Sequence, residues 1–204
     1  MKKNSWIPVL FLTACYLLPL IFRPLFSPEE FRYAELAREM LVRGDLITPK
    51  LLDMRYFEAM PMSSWITAGS FKLFGQNAFA LRLIPLLGSL GCAFLLWLWC
   101  RKRQFSSETG LTAALLYLGG SMTWFLGTFA VPDALFAMWI TAVTVFFAIA
   151  LESGKLQEKL FFLAAAGIAL GCGFLTKGVA AFALTLLPLI VYLLWQKRWK
   201  ELLF

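Results

Sequence analysis

Long apolar segments alternate with short polar ones along most of this chain. Crossing a bilayer takes about 20 mostly apolar residues, and six segments approach or reach that length. They cover residues 5–22, 78–100, 109–130, 133–151, 160–174 and 179–195. The pattern predicts an all-α integral membrane protein with about six transmembrane helices. We expect the first of them to remain as an anchor, because no small-residue cleavage site follows it.

The region between the first two apolar segments, residues 23–77, is polar and contains seven of the chain's 12 acidic residues. Its sequence SPEE predicts a helix start, with Ser27 as the N-cap and a proline at the first helical position. Apolar residues then recur at helical spacing until Gly44. Pro61 opens a second amphipathic segment that runs to Phe74. Both predict juxtamembrane helices that lie in the interface plane.

Composition supports a membrane protein and disfavours two kinds of structural site. The chain is 60% hydrophobic and 15% charged, whereas a soluble domain is nearer half and a quarter. It has no histidine, and its four cysteines lie in or beside apolar segments without a CxxC motif. A disulfide framework and a Cys/His zinc site are therefore disfavoured.

The basic residues predict an orientation. If six spans are correct, one side carries Lys2, Lys3, Arg101, Lys102, Arg103, Lys155, Lys159, Lys197, Arg198 and Lys200. The positive-inside rule makes that side cytoplasmic. We therefore predict a cytoplasmic N-terminus and an outward loop at residues 23–77, and we interpret the net charge of +7 as topology. No nucleic-acid partner is expected.

Two isolated charges lie at outward turns between apolar segments. Asp133 is the only acid or base between residues 109 and 151 apart from Tyr117, and Lys177 is the only charge between Lys159 and Lys197. An acid at the start of a helix is stabilised by the backbone dipole, and a lysine can extend its ammonium group to the interface. An ionisable group at the membrane edge is also a functional candidate. For Asp133 the two interpretations are equally favoured.

Acids from two outward loops, with cations nearby, would suit a phosphate-bearing substrate. The candidate catalytic residues are Glu29, Glu30 and Asp133, and the candidate phosphate ligands are Lys177, Arg55, Lys72 and Arg82. Glu29 and Asp133 are also candidate ligands of a divalent metal ion. The alternative is that the two glutamates only favour a helix start and that the cations outside Lys177 contact membrane lipid headgroups.

The stretch PEEFRYAELAREMLVRGDLITPKLLDMRYFEAMP, followed later by VPDALF and GFLTKG, resembles the lipid A aminoarabinose transferases. These belong to the protein O-mannosyltransferase-like glycosyltransferases of the GT-C fold. The resemblance implies sugar transfer from a polyprenyl-phosphate carrier to a lipid A-like or protein acceptor on the outer face of the bacterial inner membrane.

The resemblance also assigns positions. It matches the family's acids to Glu29, Glu30 and Asp133, and its later lysine to Lys177. The first acid is usually aspartate in the family, and the lysine of the family's YFEKPP motif, implied to contact the donor phosphate, falls on Ala59.

Family members are longer and carry a soluble outward C-terminal domain. We therefore expect residues 1–204 to form the N-terminal transmembrane part, without that domain. Ala59 and the short length leave open a non-catalytic or degenerate membrane partner. A transporter is less favoured, because transporters place charges near the bilayer midplane.

Overall fold

The computed structural model describes residues 6–26 and 28–197, and most of these residues are helical. The elements are α1 (Trp6–Phe22), α2 (Pro28–Arg43), β1 (Lys50–Leu51), β2 (Met54–Arg55), α3 (Pro61–Phe74), α4 (Ala78–Lys102), α5 (Ser107–Leu118), α6 (Ser121–Thr128), α7 (Asp133–Glu152), α8 (Leu156–Lys177) and α9 (Ala180–Trp195). The expected N-cap Ser27 and the flanking bases Lys2, Lys3, Arg198 and Lys200 lie outside the described residues.

Among the described residues, α4, α7 and α8 are long and apolar enough to cross a membrane, and two shorter apolar helices lie at residues 7–22 and 180–195. The segment expected at 109–130 is instead divided into α5 and α6. The division falls at Gly119 and Gly120, where the backbone of Gly120 is extended. Glycine costs a helix about 1 kcal/mol relative to alanine, so two in succession favour a break.

Both predicted juxtamembrane helices are present. α2 ends at Gly44, which adopts a positive φ of 69°, and α3 runs from Pro61 to Phe74 as expected. Ala37 of α2 and Phe71 of α3 are buried in one cluster with Leu81 of α4. This cluster fastens α2 and α3 to the transmembrane helix α4.

The link between α2 and α3 contains a small hairpin that the sequence pattern did not predict. Strands β1 and β2 pair antiparallel, with Lys50 opposite Arg55. The turn residues Leu52 and Asp53 both have positive φ values, 53° and 67°. Neither is glycine, which is the usual signal of such a turn, so the turn is not apparent from the residue types.

α7 packs between α4 and α8. A Cβ atom at Gly88 of α4 would stand 2.6 Å from the carbonyl carbon of Ala134, so the absent side chain lets α4 approach the first turn of α7. Leu95 of α4 and Val143 of α7 belong to the buried cluster further along these helices. The close packing fixes the position of the α7 N-terminus.

Ion pairs join helix ends on one side of the bundle. Lys102 at the end of α4 lies 2.8 Å from Glu158 of α8, and Arg103 pairs with Glu152 at the end of α7. Two of the basic clusters used for the topology prediction therefore lie at the same end, as that prediction requires.

Candidate functional site

Asp133 and Lys177 meet at the end of the bundle opposite these basic clusters. Asp133 is the first residue of α7 and Lys177 is the last residue of α8. The Lys177 Nζ donates a hydrogen bond to the Asp133 Oδ1 over 2.7 Å. Both side chains remain partly exposed, at 34% and 39%, so a ligand can reach them.

Lys177 also contributes to the wall of a cavity of about 260 Å³. The cavity is formed by α2, the segment that enters α3, the residues before α7 and the end of α8. Its lining residues are Tyr33, Glu58, Ala59, Met60, Ser63, Pro132, Thr176 and Lys177. The cavity thus combines one cation, one carboxylate and three hydroxyl groups.

Hydrogen bonds connect Glu29 to this cavity. Glu29 Oε1 accepts a hydrogen bond from Arg32 Nη2 at 3.1 Å, and Arg32 Nη1 donates to the Tyr56 hydroxyl at 2.9 Å. The Tyr56 hydroxyl in turn donates to Glu58 Oε2 at 2.8 Å. Glu29 therefore lies at one end of a chain of side chains whose other end is on the cavity wall.

Tyr33 is a half-buried residue of the cavity wall. Burial raises the pKa of its hydroxyl above the ordinary value, and the nearby Arg32 opposes that effect. The negative charges of Asp133 and Glu29 add to the increase. Tyr33 of α2 and Pro132, the residue before α7, line the same cavity, so α2 and the α7 N-terminus converge at this end of the bundle.

Glu30 is not exposed in the way that a substrate-contacting acid would be. Glu30 and Arg82 are both fully buried and form an ion pair of 2.8 Å. Burial by itself would raise the pKa of the Glu30 carboxyl, but hydrogen bonds from Arg82 and from two backbone N–H groups hold it below its ordinary value. In this structure neither side chain has exposed surface with which to contact a ligand. The geometry therefore does not support the expected catalytic role of Glu30 or the expected phosphate contact of Arg82.

The other expected phosphate ligands lie away from the cavity wall. Arg55 is exposed on β2, and Lys72 is exposed in the last turn of α3. Neither lines the cavity, whereas Ala59 does. Of the four expected cations, Lys177 alone contributes to the lining.

A divalent metal ion at Glu29 and Asp133 stays a prediction. Within the described residues, no group of three or more His, Cys, Asp and Glu side chains could hold an ion. Asp133 is engaged by Lys177, and Glu29 is engaged by Arg32. Magnesium is often held by only one or two carboxylates together with waters and substrate phosphates, so these contacts do not test the predicted site. No step of the reaction is assigned to a metal.

Tyr33, Glu58 and Thr176 line the cavity, although the sequence pattern did not mark them as candidate site residues. Tyr33 falls at the helical spacing of the apolar residues of α2, and Glu58 is one of seven acids between residues 23 and 77. Only the YFEAMP motif, which holds Glu58 and Ala59, offered a signal. A larger cavity of about 350 Å³ between α7, α8 and α9 has a mostly apolar lining and contains none of the candidate residues.

Comparison with known proteins identifies the family of this chain. The dolichyl-phosphate-mannose-protein mannosyltransferase family matches residues 7–204. An undecaprenyl phosphate-alpha-4-amino-4-deoxy-L-arabinose arabinosyl transferase of Aeromonas salmonicida is 37% identical over 209 residues, covering 100% of this chain and 37% of the relative. The protein of the same name from Pectobacterium atrosepticum is 38% identical, covering 99% of this chain and 36% of the relative.

Solved structures agree with these relatives. ArnT from Cupriavidus metallidurans, bound to undecaprenyl phosphate, superposes with a TM-score of 0.89 at 28% identity, covering 97% of this chain and 37% of that protein. Its apo structure gives a TM-score of 0.87 at the same identity, covering 93% of this chain and 35% of that protein. The chain thus spans a little over a third of the length of the proteins it matches.

Proposed function

Since the chain belongs to the dolichyl-phosphate-mannose-protein mannosyltransferase family, we propose that it forms the N-terminal membrane part of a glycosyltransferase. The reaction moves a sugar from a polyprenyl-phosphate carrier to a lipid A-like or protein acceptor. The observation that carries the proposal is the cavity at one end of the bundle, where the Lys177–Asp133 pair lies beside Glu58 and Tyr33.

The donor class follows from the named relatives. Both arabinosyl transferases carry undecaprenyl phosphate-linked 4-amino-4-deoxy-L-arabinose in their names, and one matching structure contains undecaprenyl phosphate. We assign the same kind of donor to this chain. The shared transferase name also favours an enzyme over a non-catalytic partner.

The membrane location is part of the proposal. The protein lies in the bacterial inner membrane with its N-terminus in the cytoplasm, and the cavity opens on the outer side. The clustered cations at the opposite end of the bundle support this orientation.

The chemistry assigned to this chain rests on its own side chains. When the sugar leaves its carrier, negative charge develops on the carrier phosphate, and the Lys177 ammonium stabilises that charge. Asp133 holds the ammonium in place through its 2.7 Å hydrogen bond. For a hydroxyl acceptor, Asp133 or Glu29 accepts the proton, whereas a phosphate acceptor requires no strong base.

A pair of matched variants, made in the full native protein, tests whether Lys177 binds the carrier phosphate. Lys177→Met removes the cavity cation, while Lys72→Met removes an exposed cation from α3 that does not line the cavity. A charge-assisted contact is worth about 1.5–3 kcal/mol, or roughly 10- to 100-fold in donor binding or turnover.

The measurement is transfer of labelled sugar from a polyprenyl-phosphate donor in membranes. We expect Lys177→Met to lose transfer by that factor and Lys72→Met to retain it. Equal transfer by the two variants would overturn the assignment of the phosphate to this cavity.

A further inference from the structure

One buried carboxylate links the two polypeptide segments that carry the candidate acids. Glu30 follows Glu29 in the first turn of α2, and it has no exposed surface. Arg82 of α4 is also fully buried and donates from Nε to Glu30 Oε1 and from Nη2 to Glu30 Oε2, each over 2.8 Å. Such a two-point contact fixes the orientation of both groups.

The same carboxylate also binds the segment that enters α7. The backbone N–H of Ala130 donates to Glu30 Oε1 over 3.2 Å, and Ala130 lies only three residues before Asp133. Arg23 donates to the same oxygen over 3.2 Å and to the Thr128 carbonyl over 2.7 Å. Two separate contacts therefore fasten residues 128–130 to the start of α2.

Arg82 extends this network to the end of α1. Its Nη1 donates to the Pro19 carbonyl over 3.2 Å and also to the Arg23 carbonyl. Its Nη2 donates to the Pro24 carbonyl over 2.8 Å. The Pro19 carbonyl lies in the last turn of α1 and also accepts the backbone N–H of Arg23, whereas the Arg23 and Pro24 carbonyls lie in the link that follows α1. One guanidinium group therefore binds the end of α1, the link after it and Glu30.

Stability alone is a weak reason for such an arrangement. Taking two charges out of water is costly, and an apolar pair of similar size is often as stable as a buried ion pair. What an apolar pair cannot do is fix a register through directed hydrogen bonds. The hydrogen bonds of Glu30 reach α4, the end of α1 and the segment before α7, which are the elements that must be aligned for Glu29 and Asp133 to face one ligand.

We propose that Glu30 and Arg82 are positioning residues for the transfer reaction, which hold the Asp133 segment against the start of α2 without contacting the substrate. This inference rests on the proposed function. It assigns a role in the rate of transfer, and none in donor recognition, to a pair outside the cavity.

Three variants separate positioning from general stability. Glu30→Gln removes the charge with little change of shape, and Arg82→Lys keeps the charge but loses the two-point contact. Glu39→Gln is the matched control. Glu39 is also a buried acid of α2, at 5% exposure, and it pairs with Arg43 at 3.1 Å, far from the Asp133 segment.

The kinetic measurement is the split between kcat and the KM for the lipid-linked donor. A displacement of about 1 Å at a reacting group reduces a rate by about 100-fold. We expect Glu30→Gln and Arg82→Lys to lose kcat by about that factor with the donor KM nearly unchanged, and Glu39→Gln to retain both values. A raised KM with unchanged kcat would overturn the inference.

A second measurement does not depend on activity. Spin labels at two exposed positions, Val42 on α2 and Met122 on α6, report the distance between α2 and the helix that leads into residues 128–130. We expect a shifted or broadened distance distribution in Glu30→Gln and Arg82→Lys but not in Glu39→Gln. An unchanged distribution in the first two variants, or an altered distribution with full kcat, would overturn the inference.

The outcomes distinguish this inference from the proposed function. A wild-type protein that transfers no sugar overturns the proposed function. An active wild-type protein with an equally active Glu30→Gln variant overturns only the positioning role.

Discussion

Ala59 and Lys177 lie on the wall of the same cavity, although the family resemblance implies a lysine at the first position as well as the second. The methyl group of Ala59 leaves space there and provides no charge. Ala59 cannot make the phosphate contact that the resemblance implies for a lysine at its position, and Lys177 is the one cation among the lining residues.

Restoring that contact is the first prediction. Ala59→Lys adds an ammonium group beside the proposed phosphate, and we expect donor binding to strengthen by roughly 10-fold or more. Ala59→Met adds a side chain of similar length without charge and should weaken binding by filling the cavity. The measurement is the affinity for a labelled polyprenyl phosphate. Weakened binding in both variants would contradict a phosphate site at this position.

Asp133 gives the second prediction. Asp133→Asn removes the partner of Lys177 and the candidate proton acceptor, so we expect sugar transfer to a hydroxyl acceptor to fall by about 100-fold or more. Because a partly exposed ion pair contributes only about 0–1 kcal/mol, the melting temperature should change little. Transfer rate and thermal unfolding are both measured.

The control for Asp133 is Glu158→Gln. Glu158 accepts a hydrogen bond from Lys102 over 2.8 Å and is 39% exposed, which closely matches the exposure and geometry of Asp133. It lies at the opposite end of the bundle. Similar losses of transfer in the two variants would show that breaking any exposed ion pair of this kind reduces transfer. The role proposed for Asp133 would then be contradicted.

The orientation of the chain gives the third prediction. Met54 lies on the hairpin between α2 and α3, which we predict to face outward, and it is 70% exposed. In a background without the four native cysteines, Met54→Cys should react with a membrane-impermeant thiol reagent applied to cells whose outer membrane has been removed. Ser107→Cys, exposed at the start of α5, should react only after lysis. The reverse pattern would overturn the topology.

The buried Glu30–Arg82 pair gives a fourth prediction, on stability. Removing one member leaves an uncompensated buried charge, so Glu30→Ala should lower the free energy of unfolding by about 3–5 kcal/mol. The pKa of Glu30 is lowered in the folded protein from an ordinary value of 4.5. Its contribution is therefore fully present above that value and is lost as the pH falls through the lowered pKa.

Thermal unfolding in detergent at a series of pH values measures this effect. The difference in melting temperature between the wild type and Glu30→Ala should be largest near neutral pH and should shrink in acid. Glu35→Ala serves as the control. Glu35 pairs with Arg38 on the surface of α2. Its replacement should lower the free energy of unfolding by about 1 kcal/mol or less. A difference that grows in acid would contradict the lowered pKa.

Local signals in the sequence determined most of the elements. Pro61 and the break after Phe74 defined α3, and Gly44 defined the end of α2, because proline and glycine restrict or release the backbone irrespective of tertiary contacts. Apolar length placed the transmembrane helices. The pattern failed at Gly119 and Gly120, where average hydrophobicity concealed a break in the backbone.

The candidate site was determined only in part by the sequence. Asp133 and Lys177 were found because a charge is conspicuous in an apolar region, and their placement at outward turns predicted one common surface. The 2.7 Å contact between them could not be predicted, because it depends on how α7 packs against α8. The same limit applies to Tyr33, whose spacing indicated only an apolar face of α2.

Tertiary structure also decided the different positions of two adjacent acids. Glu29 and Glu30 look alike in the sequence, and both suit the first turn of a helix. Successive helix residues point about 100° apart, so Glu29 faces Arg32 and is partly exposed to solvent. Glu30 instead faces Arg82, 52 residues away. Helical periodicity determines that the two side chains diverge, but only the packing of α4 against α1 and α2 determines which of them meets a buried cation.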